Sequence, residues 1–126
     1  MRPASASPLL DVVTVLAFAT VGRATHAEGL SVLGVLQTAW PFAVGLLLGW
    51  SVALAVTSAR RAVHLGSLRA GAVVWACTVP TGMALRTLTD QGTATAFVVV
   101  AAVTLAAGLL GWRLLARRLR VRRLRT

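Results

Sequence analysis

Twenty consecutive residues, Thr93 to Trp112, carry no charge, and the chain passes from them straight into an arginine-rich tail. A run of this length reaches across the ~30 Å hydrocarbon core of a bilayer as a single helix. The tail holds Arg113, Arg117, Arg118, Arg120, Arg122, Arg123 and Arg125. Its charge predicts which side of a membrane that helix must end on, because cytoplasmic flanks collect Lys and Arg. The rest of the chain is placed from this one orientation.

Three further apolar segments precede the run. With 57% hydrophobic residues in a chain of 126, a soluble core of this size could not hide the apolar surface. The expected class is therefore all-α, an integral membrane four-helix bundle in one transmembrane domain over 9–112. Spans are expected at about 9–27, 40–56, 70–86 and 93–112, after a frayed leader at 1–8 and before a cytoplasmic arginine-rich tail at 113–126. A kinked second helix starting near Leu30 and bending at Pro41 is the alternative to a start at Trp40-Pro41. A signal peptide ending near Ala27 competes weakly for the first span, since Asp11 and Arg23 fall where neither belongs in such a segment.

Charge tests the four-span layout. With the tail inside, eleven arginines lie on the inner side and only Arg23 and Arg86 on the outer side. The strong bias predicts a multi-pass protein of the cell membrane with both termini cytoplasmic.

Projected at 100° per residue, every span shows one small or polar stripe. Asp11, Thr14, Phe18, Gly22 and Thr25 share one on the first span; Thr38, Pro41, Gly45 and Gly49 share one on the second. The third aligns Gly71, Trp75, Thr78, Gly82, Arg86 and Thr89, and the fourth Thr93, Val100, Thr104, Ala107 and Gly111. Such stripes let membrane helices approach closely, so Gly45, Gly49 and Gly82 are the expected packing positions. Packing within the chain is favoured over a homodimer contact.

Arg23, His26, Glu28, Arg86 and Asp90 gather on the predicted outer side. Charges at helix ends in a membrane must pair or snorkel, so Arg23 and Arg86 need carboxylates such as Glu28 or Asp90, or a ligand. An outward-facing polar site for an anionic or polar ligand is the functional expectation; two arginines that merely close the bundle is the structural one. Asp11, near the inner end of the first span, is expected to pair with Arg60, Arg61 or Arg69, a structural ion pair being favoured over proton coupling. Trp40 and Trp112 read as interface anchors; Trp50 and Trp75 lie deeper, as packing residues do, and Trp75, on the stripe with Arg86, is the one best placed to join the outer site.

Enzyme chemistry finds little footing. Cys77 is the single cysteine, the two histidines fall on opposite sides of the membrane, and no metal spacing or phosphate loop occurs. No cofactor is implied. The expected partners are the lipid bilayer, anionic headgroups at the tail, and either a second copy or another membrane protein. Nucleic acid is not expected despite a pI near 12.0, because the charge is concentrated beside a membrane span. A small-molecule or ion transporter acting as an oligomer is the alternative function, although Asp11 lies too near the membrane edge for the mid-membrane carboxylate of small exporters.

Several strings carry a family resemblance: Phe18-Ala-Thr-Val-Gly-Arg23-Ala-Thr-His26-Ala-Glu28-Gly29, Thr38-Ala-Trp40-Pro41-Phe42 with Gly45, Thr78-Val-Pro-Thr-Gly82-Met83-Ala-Leu-Arg86, Phe97-Val-Val-Val-Ala101 and Gly111-Trp112-Arg113. Together the chain resembles the small prokaryotic membrane proteins grouped as domain of unknown function three-zero-five-four. The resemblance implies a compact multi-pass protein with its marked polar positions on the outer side. It implies no activity.

Overall fold

The computed structural model describes residues 3–25, 31–60, 65–91 and 94–125. Among them it holds four helices and no strand: α1 Pro3–Thr25, α2 Val32–Arg60, α3 Leu68–Leu88 and α4 Thr95–Arg125. All four are long and apolar enough to cross a membrane. They run up and down in chain order around a square, with α1 against α2, α2 against α3, α3 against α4, and α4 closing back on α1. Across the diagonals α1–α3 and α2–α4 the backbones do not come close, and side chains such as Phe42 and Phe97 bridge the middle.

Helix ends depart from the expected spans. α1 starts at Pro3, inside the stretch read as a frayed leader, and passes Pro8. α2 takes the long alternative, running through Pro41 from Val32. α4 continues without a break through the tail to Arg125. The reason is physical: an apolar run marks where lipid can surround a helix, while backbone hydrogen bonding persists beyond it wherever the residues favour helix, as Leu and Arg do.

The packing is that of a protein whose solvent is lipid. Leu9, Val21, Leu33, Leu47, Leu54, Val99, Val103 and Leu115 are exposed on the outside. The interior is built from Val15, Phe18, Ala19, Ala39, Phe42, Leu46, Val74, Ala101, Leu105 and Leu109. Phe18 meets Phe42 edge to face at 5.4 Å between ring centres, and Phe97 completes the aromatic cluster. Such a pair adds about 0.5–1.5 kcal/mol beyond area burial.

The α2–α3 seam is the most extensive in the bundle, and it is a backbone contact. A Cβ at Gly45 would stand 2.7 Å from Thr78 Cα, and one at Gly49 would stand 2.8 Å from Val74 Cα. Gly82 gives the Phe42 ring its space. In lipid this close approach replaces the hydrophobic drive that water would supply.

One stripe needs correction. α4 turns Ala101, Leu105, Leu109 and Arg113 inward, on successive i, i+4 positions, while Val100, Thr104 and Ala107 are exposed. Counting small and polar residues selects the thin side of this helix, but its leucines are what fill the centre.

Candidate functional site

The bundle has a polar construction at each end. At the end holding the start of α1 and the tail of α4, Asp11 is fully buried. Its partner among the described residues is Arg113, in place of the expected Arg60, Arg61 or Arg69; Arg61 and the Arg60 side chain lie outside the described residues. The Asp11 and Arg113 side chains form a bidentate pair, with Nη1 2.7 Å from Oδ1 and Nη2 2.9 Å from Oδ2. Trp112 Nε1 donates to Oδ1 and Trp50 Nε1 to Oδ2, each at 2.9 Å. The carboxylate thus accepts four bonds, about as many as it has lone-pair sites.

Arg113 is equally satisfied. Its Nε donates to the Leu65 carbonyl at 3.0 Å, Nη2 donates to the same oxygen at 2.8 Å, and Nη1 donates to Leu109 O at 2.8 Å. With the two bonds to Asp11, the whole guanidinium fork is engaged. Its Cζ also lies 4.4 Å from the centre of the Trp112 ring. Gly71 makes room for the side chain, since a Cβ there would stand 2.6 Å from Arg113 Cδ. The Ser67 side chain caps α3 by accepting from Ala70 N, which holds the turn that presents Leu65.

This network joins α1, α2, α4 and the turn before α3 at one carboxylate. Buried charge that is fully paired and hydrogen-bonded acts as a clasp between the elements that supply its partners. Arg113, expected as part of the solvated tail, and Trp50 and Trp112, expected as packing and anchor residues, all belong to the clasp.

The opposite end is built differently. Arg23 closes α1 and Arg86 closes α3, two helices on a diagonal. Both line a cavity of about 510 Å³, within the ~300–1,000 Å³ typical of ligand sites. Its other walls are Val13, Thr14, Ala17, Phe18, Val21 and Gly22 of α1, Thr38 of α2, and Phe97, Val100, Thr104 and Gly108 of α4. Val13, Val21 and Val100 are exposed, so the cavity opens sideways between α1 and α4.

Each arginine is held in place. The Arg23 guanidinium lies across Gly34, where a Cβ would stand 2.5 Å from Cζ, and Nη1 is 3.5 Å from Thr38 Oγ1. Arg86 Cζ sits 4.2 Å from the centre of the Phe97 ring. It donates from Nη1 to Gln91 Oε1 at 3.2 Å and from Nη2 to Gln91 O at 3.0 Å.

Gln91 reaches Arg86 because α3 ends in a Schellman turn. Gln91 N donates to Arg86 O at 2.8 Å, Asp90 N donates to Thr87 O at 3.3 Å, and Asp90 takes φ 57°. Asp90 is exposed in that turn, so its place here is a helix stop. Asp90→Gly is expected to stabilise the bundle by up to ~1 kcal/mol by removing the left-handed strain on a side chain. Thermal unfolding should show the gain; a loss of stability would mean that the Asp90 side chain contributes directly.

Among the other expected site residues, His26 and Glu28 lie outside the described residues. Trp75, which shares a stripe with Arg86, donates to Ala102 O at 2.9 Å and pins α3 to α4 without entering the cavity.

A four-helix membrane-type bundle with a clasp at one end and a side-opening, arginine-lined cavity at the other defines the class of protein. Residues 9–116 match the family described as Protein of unknown function (DUF3054), and the chain belongs to that family. The match spans Asp11, Arg113 and both cavity arginines, and it stops before Arg117. No curated protein and no solved structure is significantly similar to the chain.

Proposed function

We propose that this protein is a cell-membrane binding module whose cavity end faces outward and holds an anionic group at Arg23 and Arg86. What carries the reading is that two guanidiniums, brought from helices on opposite corners of the bundle, line the same cavity. The arginine distribution supports an inside location for both termini, with the tail against anionic headgroups. Transport as an oligomer is less well supported, because the clasp around Asp11 ties down the acid that would carry a proton.

The test is anion binding by the protein in phosphatidylcholine nanodiscs, using both inorganic phosphate and alkyl phosphate as probes. The Arg23→Gln/Arg86→Gln double variant is expected to lose at least about tenfold in affinity for whichever probe binds, as loss of charge-assisted bonds requires. Equal binding by wild type and variant would defeat the reading. A C-terminal tag should be cleaved by added protease in inverted membrane vesicles and protected in right-side-out ones.

A further inference from the structure

Resting on that reading, we infer that the cavity takes a single-chain anionic amphiphile from the bilayer, its phosphate or carboxylate head at Arg23 and Arg86 and its chain between α1 and α4. Shape is the first argument. The walls run from Arg23 back to Val13 on α1 and from Phe97 to Gly108 on α4, about 16 Å of helix. Beyond the arginines the lining is apolar apart from Thr14, Thr38 and Thr104. The Thr14 hydroxyl already donates to Leu10 O at 2.9 Å. A small soluble anion would use only one end of such a groove.

Access is the second argument. The exposed side chains of Val13, Val21 and Val100 put the groove's mouth on the flank of the bundle, where a membrane-embedded chain meets lipid. An amphiphile can enter there laterally without leaving the bilayer. A groove between only two helices suits one chain, not two.

The third argument is the charge gradient along the groove. Its cationic residues stand at the ends of α1 and α3, at headgroup level, and its apolar part lies at the depth of acyl chains. This matches an amphiphile's own profile of charge and hydrocarbon.

Two positions test the chain-binding part without removing a contact. Gly22 lines the cavity, and a Cβ there meets nothing within 4 Å; Ala17 also lines it and is exposed. Gly22→Leu and Ala17→Phe therefore fill the groove while leaving the helix seams intact.

The experiment is native mass spectrometry of the protein released from phosphatidylcholine nanodiscs doped with dodecyl phosphate, with dodecanol and inorganic phosphate as separate arms. One dodecyl phosphate per chain is expected, retained at least tenfold more than either control. Ala17→Phe and Gly22→Leu should each cut retention of dodecyl phosphate at least fivefold, with tryptophan emission and melting unchanged. If inorganic phosphate binds as well as dodecyl phosphate and the groove variants have no effect, the anion site stands and the amphiphile inference falls. Dodecanol retained equally, or no retention of any probe, would overturn the inference and the anion reading together.

Discussion

Arg113→Met is expected to lower the stability of the bundle by about 3–5 kcal/mol, the usual consequence of leaving a buried charge without its partner. Asp11 would keep its two indole donors but lose both charge-assisted bonds, and the Leu65 carbonyl would lose two donors. Adding Asp11→Leu to Arg113→Met should recover most of the loss, because an apolar pair needs no compensation in that place. Arg117→Met and Arg120→Met, at exposed positions of the same helix, should stay within about 0.5 kcal/mol of wild type. Unfolding in mixed micelles, followed by the emission of Trp50 and Trp112, reads all four. Equal stability of Arg113→Met and Arg117→Met would show that the clasp contributes nothing.

Gly45→Leu and Gly49→Leu form the second large effect. The atoms opposite these glycines are the Cα and carbonyl oxygen of Thr78 and Val74, which cannot step aside as a side-chain tip could. Overpacking typically costs about 1–3 kcal/mol, and a collision with backbone belongs at the upper end. The built-in controls are Gly22→Ala and Gly111→Ala, whose new methyl groups meet nothing within 4 Å. Those should be neutral or stabilising by ~0.5–1 kcal/mol through the lower backbone entropy of alanine. Equal effects at the two pairs would separate the α2–α3 seam from its glycines. A melting temperature that depends on protein concentration would place Gly45 and Gly49 in a contact between copies.

The four spans were legible because an apolar stretch of membrane length has few other readings in a chain this short. The identity of the buried arginine was not, since Arg113 stands among seven similar residues. One signal did exist: Arg113 is the first charge on the Ala101, Leu105, Leu109 row at steps of four, directly against the apolar run, whereas Arg117 lies a further turn out on that row and is exposed. Asp11 was drawn inward by its stripe, but its partner lies 102 residues away, beyond any local pattern. Arg23 and Arg86 stood out because the four-span layout expects every other arginine on the opposite side. The groove beside them depends on how far α1 stands from α4, a distance that no helical wheel contains.

The clasp also sets an order of events during synthesis. Asp11 is made before its cation, which follows 102 residues later, beyond the apolar stretch of α4. Until then α1 enters the lipid with a carboxylate that has neither Trp112 nor Arg113 to receive it. A chain that stops short of Arg113 keeps that acid uncompensated. α1 thus carries a charge that only α4 can neutralise.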